Sequence, residues 1–171
     1  MVVLLAIIYP MAVFGIAQLA KNKGKGETIS VNGKVVGYQK IGQKFDKSNY
    51  FWGRPSAVDY NAAGSGGSNK GASNAEYLAL VQKRIDTFLI AHPYLKKGEI
   101  PSDMVTASGS GLDPNISPQA ALIQVKRVAE LRKLSEDKVK ALVESKINVP
   151  AIMGTATVNV LELNIALNEL K

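Results

Sequence analysis

Twenty residues without one charged side chain open this sequence, MVVLLAIIYPMAVFGIAQLA, and Lys21, Lys23 and Lys25 follow at once. Gln18 is the only strongly polar member of the run. Wound as an α-helix, a segment of this length extends roughly 30 Å, about the thickness of a bilayer hydrocarbon core. A helix satisfies its own backbone amides, which lipid cannot do. The run therefore predicts a transmembrane helix over residues 1–20. Pro10 lacks an N–H, which removes one bond of the ladder and predicts a kink near residues 6 to 10. A cleaved signal peptide would carry a basic residue before the apolar stretch and an A-x-A site after it, and neither is present. A buried globular helix would show a polar face, and this one has none. Gly15 with Ala6, Ala12, Ala17 and Ala20 leaves room for close helix packing in lipid.

Beyond the anchor, residues 21–26 (KNKGKG) read as a tether, and residues 27–171 are enough for one domain with an ordinary core. The formal net charge of +7 is uneven. Residues 21–60 hold eight Lys/Arg against three Asp/Glu, whereas the rest of the chain is nearly balanced. That surplus lies beside the anchor, where lysines meet lipid head groups. No basic-aromatic module accompanies the charge, so nucleic acid is not an expected partner. The three lysines after the anchor favour a cytoplasmic body on the positive-inside rule, but with nothing to weigh on the other flank sidedness stays open.

Thr28 to Val31 and Lys34 to Tyr38, joined by Asn32-Gly33, read as a β-hairpin, because Asn-Gly accepts the positive φ angles of a type I′ turn. The second strand could continue toward Ile41. Tyr50 to Ala57 (YFWGRPSA) is the aromatic cluster and holds the single Trp. NAAGSGGSNKGASN, residues 61–74, has four glycines and no large apolar residue. Ser73 and Glu76 then form an S-x-x-E capping box, and Tyr77, Val81, Ile85, Phe88 and Leu89 line one face of a helix that stops near His92-Pro93. After the turn-rich residues 101–117, Ser117 caps a helix with Pro118 at its first position and Ala121, Val125, Val128 and Ala129 facing inward. Leu134 to Asp137 restarts a helix. Asn159 and Glu162 form a last cap-like pair before Leu163, Leu167 and Leu170, although V-N-V-L-E-L alternates enough for a strand. The fold class expected is α+β: one transmembrane helix, then a single domain in which a small N-terminal antiparallel sheet packs with about four helices.

Catalytic chemistry finds little to stand on. Gly64 to Gly71 lacks the G-K-[ST] ending of a phosphate-binding loop. The only histidine, His92, sits at a helix end, and with no cysteine a zinc site is not expected. Glu136-Asp137 and Glu99 with Asp103 read as solvated helix starts and turns.

Several segments are more particular than generic loops: YFWGRPSA at 50–57, SGGSN at 65–69, Ser73-Asn74, VTASGSGLD at 105–113, ISPQAA at 116–121 and VNVLELN at 158–164. Together, in this order and with Tyr9-Pro10 in the anchor, they closely resemble the C subunit of Kdp-type potassium-transporting P-type ATPases. Two departures stand out. Residues ahead of the membrane segment are missing, and Thr155-Ala156-Thr157 replaces the usual Gly-x-Pro. The resemblance implies a non-catalytic subunit of a high-affinity potassium importer in the cell (inner) membrane. Its partners would be a channel-like potassium-binding subunit, a P-type pump subunit carrying D-K-T-G and a small single-helix subunit. It implies no cofactor of the chain's own, since ATP and potassium are handled by the complex. One mechanism consistent with it is an extracytoplasmic cap that holds the complex together and shapes potassium entry. Another is a catalytic chaperone that raises the pump's affinity for ATP, for which Leu134 to Lys138 is only faintly like an ABC signature and reads as a helix cap. A solitary, membrane-tethered module for an envelope ligand is the third reading. The expected partner surface is the aromatic segment with the two glycine-serine loops: Phe51, Trp52, Arg54, Ser68, Asn69, Ser108, Ser110 and Asp113. Trp52 as core, and Arg54 as a tie between loops, is the competing reading of those two residues.

Overall fold

Helical turns run without interruption over residues 2–17, and they change character midway. A computed structural model describes residues 1–20 and 22–170; Lys21, the first residue of the expected tether, and Lys171 lie outside the described residues. Leu4–Ile8 is wound as a π-helix, closed by a bond from the Tyr9 N–H to the Leu4 carbonyl, and the α-helix α1 covers Tyr9–Ala17. Pro10 cannot donate to the ladder, and the wider π turn takes up the mismatch just ahead of it. Past Ala17 the bonds tighten to three-residue spacing, Leu19 to Ile16 and Ala20 to Ala17. The expected twenty-residue spanning helix is thus shorter in the structure. Among the described residues, no helix is long and apolar enough to cross a membrane.

The chain divides into two compact units at Lys40 and Ile41. The first holds the apolar helix and a hairpin of β1 (Thr28–Val31) and β2 (Lys34–Tyr38). Asn32 and Gly33 take φ angles of 51° and 76°, the pair of left-handed residues that a type I′ turn requires. The second strand ends at Tyr38 rather than continuing to Ile41, and Gln39 adds one more bond to the Glu27 carbonyl.

The second unit, from Ile41 onward, has its own sheet. It contains α2 (Ala75–Ala91), β3 (Asn115–Ile116), α3 (Pro118–Leu122), α4 (Val125–Arg132), α5 (Glu136–Ser145), β4 (Ile147–Asn148), β5 (Thr157–Asn159) and α6 (Val160–Glu169). β5 is the central strand, antiparallel to β3 on one side and β4 on the other. The expectation of a single N-terminal sheet against the helices is therefore corrected. The sheet that the helices carry is assembled from short strands late in the chain. V-N-V-L-E-L is both things in turn, strand as far as Asn159 and helix from Val160.

Caps set most of the helix starts. The Ser117, Ser135 and Asn159 side chains each accept from a backbone N–H three residues on. At α2 the cap is Asn74, whose Oδ1 accepts from Tyr77 N at 2.9 Å, not the expected Ser73. Asn and Ser are comparable caps, so one-residue register is not decided by type. α3 and α4 break at Ile123-Gln124, and Lys133, left-handed at φ 57°, ends α4. Val128, Val139, Val143, Val158, Leu163 and Leu167 form the centre of the core with Phe51 and Ile116.

Candidate functional site

The aromatic segment has no strand partner among the described residues, yet at Phe51 and Trp52 side chains pair both the N–H and the carbonyl. Asn164 on α6 accepts from Phe51 N at 2.9 Å and donates to Phe51 O at 3.0 Å. Gln124, at the break before α4, does the same for Trp52, accepting from its N–H at 2.8 Å and donating to its carbonyl at 3.2 Å. Two carboxamides thus take the place of neighbouring strands, which is how an extended segment stays inside a core without orphaned amides.

Arg127 on α4 completes this clasp. Its guanidinium donates to the carbonyls of Ser48 and Tyr50, to Gln124 Oε1 at 2.7 Å and, through Nε, to His92 Nε2 at 2.8 Å. It also lies over the Trp52 ring, 4.3 Å from the centroid. His92 therefore accepts at Nε2, which places its proton on Nδ1, where it donates to Phe88 O at 2.8 Å. Its ring stacks on Phe88 with centroids 4.0 Å apart. Burial, with the Arg127 charge beside it, pulls the His92 pKa down to about 4, against the raising effect of its bond to Phe88. Burial also lowers Arg127, to about 10, so it stays charged at neutral pH. Among the described residues the cation is thus held in the core without a carboxylate, shared among carbonyl oxygens, a carboxamide, an imidazole and a ring face.

Above the clasp three loops meet. Arg54 bonds Asp113 at 3.0 Å, both side chains about one quarter exposed, and Asp113 Oδ1 also accepts from Asn115 N. The Arg54 Nε is buried without a hydrogen-bond partner among the described residues. Ser56 Oγ donates to Gly111 O at 2.7 Å and Ser108 N donates to Pro55 O. The Ser110 carbonyl accepts from Gly66 N and Ser65 Oγ. Glycine is required where backbones touch. A Cβ on Gly42 would lie 2.5 Å from the Asp113 carbonyl oxygen, and one on Gly111, at φ +65°, 2.8 Å from the Gly66 carbonyl oxygen. Tyr60 donates to the Arg54 carbonyl, and burial pushes its hydroxyl up to about 12.

The eight residues expected at a partner surface occupy three depths. Phe51 is 0% exposed and belongs to the core, so its side chain offers nothing to a partner in this conformation. Trp52 is partly buried against Phe88, His92 and Arg127. Ser108 is buried, Arg54, Ser68 and Asp113 are partly exposed, and Asn69 and Ser110 are exposed. Arg54, Ser108, Ser110 and Asp113 are brought into one cluster, and Gly67 packs on Gly109 beside it. Sequence reasoning missed Gln124, Arg127 and Asn164. Only Asn164 carried a positional signal, as a polar residue on the apolar stripe of its helix between Val160 and Leu167, whereas Gln124 falls in the break between α3 and α4 and Arg127 lies off the stripe of Val125, Val128 and Ala129. A groove of about 360 Å³ flanks Trp52, with Phe45, Pro55, Leu80, Phe88 and Met104 as its apolar lining and Lys83 and Arg84 at its walls.

A family described as "KdpC: K+-transporting ATPase, c chain" matches residues 1–169. The chain is 85% identical over 171 residues to the potassium-transporting ATPase KdpC subunit of Flavobacterium psychrophilum, covering 100% of this chain and 93% of that protein. It is 79% identical to the subunit of the same name from Flavobacterium johnsoniae over 99% of this chain and 92% of that protein. It is 52% identical to the one from Bacteroides thetaiotaomicron, again over 99% and 92%.

Proposed function

This chain belongs to the c-chain family of potassium-transporting ATPases, and on that premise we propose that it works by contact within such a transporter, as an assembly and coupling subunit on the extracytoplasmic side. The subunit is accessory, and the catalytic step belongs to a partner. One observation carries the reading: the polar apparatus at the centre of the body is consumed in building it. Arg127, His92, Gln124 and Asn164 hold the 48–52 segment, and Arg54 with Asp113 ties loops together. A nucleophile or general base needs a free face toward a substrate, whereas these groups face one another. What is left for the outside is a shaped loop cluster cross-bonded from one loop to the next, which suits recognition by a partner subunit.

The same reading assigns the uncharged N-terminal helix to the lipid. None of its residues is buried within the chain, and Leu4, Ile7, Ile8, Met11, Phe14 and Ile16 are all exposed. An apolar surface of that extent calls for a covering of lipid or of neighbouring helices. The partners are then a channel-like potassium-binding subunit, a P-type pump and a small single-helix subunit, with ATP and potassium handled by them. Detergent extraction tests the reading. The chain should co-purify with a pump subunit carrying D-K-T-G, and a chain that extracts alone would fit a solitary receptor instead. Arg54→Ala combined with Asp113→Ala should impair growth at micromolar potassium while the chain remains folded; wild-type growth would count against the cluster as a contact surface.

A further inference from the structure

The hairpin between β4 and β5 ends in a tip that the internal structure does not explain. Among the described residues from Ile41 onward, seven large apolar side chains are exposed, and three of them fall within five positions: Val149 at 70%, Ile152 at 95% and Met153 at 86%. Scattered apolar residues on a surface are ordinary, but a contiguous group at a protruding turn is not. No ionisable side chain occurs from Ile147 to Leu161, the longest such stretch after the N-terminal run. The tip is also shaped. Gly154 takes φ +126° and comes so close to Pro150 that a Cβ would lie 3.0 Å from the proline ring. Ile147 pairs with Val158 and Asn148 with Thr157, so both feet of the loop are fixed in the sheet. Ile152 and Met153 are therefore presented at the end of a braced turn.

We propose that Val149–Met153 is an apolar plug that seats in an uncharged, apolar pocket on another subunit of the transporter. The proposal rests on the reading of this chain as an assembly subunit and names a docking element for it. The chemistry favours a protein pocket over a lipid surface. Loops that enter a bilayer interface rely on Trp or Tyr at head-group level and on Lys or Arg for anionic lipid, and this tip has neither between Ile147 and Leu161. Branched and thioether side chains without charge fit a preformed hydrophobic cavity, where Met adapts to irregular walls.

The absence of cysteine makes a clean test available. Ile152→Cys, carrying a photoreactive benzophenone maleimide, is irradiated in membranes containing the whole transporter, and the adduct is identified by mass spectrometry. A covalent adduct to a companion subunit is expected. Adducts to lipid only, to a second copy of this chain only, or none despite an assembled complex, would overturn the plug. In parallel, Ile152→Asp with Met153→Asp should reduce recovery of the chain with the pump subunit at least tenfold in detergent, with an unchanged far-UV spectrum and unfolding midpoint. Undiminished recovery would also overturn it. If the unaltered chain itself fails to co-purify, it is the assembly reading that fails, and the two failures are told apart by that control.

Discussion

His92 and Arg127 show how far a side chain's role can stand from its type. A histidine at a helix end beside a proline reads as a solvated terminus, yet it is fully buried and accepts a charged hydrogen bond. Nothing local announces this, because the partners are 35 residues apart for Arg127 with His92 and 77 for Arg127 with Tyr50. The buried neutral imidazole has a measurable consequence. In the folded chain His92 titrates at about 4, against 6.5 for the free side chain, so between those values the unfolded state binds the extra proton. Its contribution to stability is complete above about pH 6.5 and is lost as the pH falls toward 4, at up to about 1.4 kcal/mol per unit. Urea unfolding at pH 7.5 and pH 5 should show that decline, and His92→Gln should flatten it. An equal decline in the variant would mean that other groups carry the acid sensitivity.

At the scale of elements, what was legible was what is local. Asn-Gly between two alternating runs marked the hairpin, and Ser117-Pro118, Ser135 and Asn159 marked helix starts, because a cap needs only the next three residues. The short strands β3 and β4 were not legible, and β5 only as the strand alternative for V-N-V-L-E-L, since two or three residues carry no period of their own. Nor was the break at Ile123-Gln124, where a helical pattern yields so that a carboxamide can serve the Trp52 backbone. The one-residue error at α2 yields a prediction. Asn74→Ala should lower stability by about 1 kcal/mol, and Ser73→Ala should leave it within about 0.5 kcal/mol. Thermal unfolding of both variants checks it, and the reverse order would return the cap to Ser73. Of the candidate surface, the proximity of the two serine-glycine loops was foreshadowed by composition, but the depth of Phe51 was not. An aromatic cluster reads alike whether it faces a partner or the core.

For the whole molecule, the account joins an apolar helix, a body whose buried polar groups are spent on itself, and a family that names a potassium-transporting assembly. On the function proposed above, the body contributes contact from outside the membrane, and its location becomes the decisive quantity. Lys140 is exposed on α5, and the chain has no cysteine to confuse a label. Lys140→Cys in the assembled transporter, treated with a membrane-impermeant maleimide, reports that location directly. The account predicts modification in right-side-out vesicles and protection in inverted ones. Modification in inverted vesicles alone would contradict it and put the body on the side where ATP is bound.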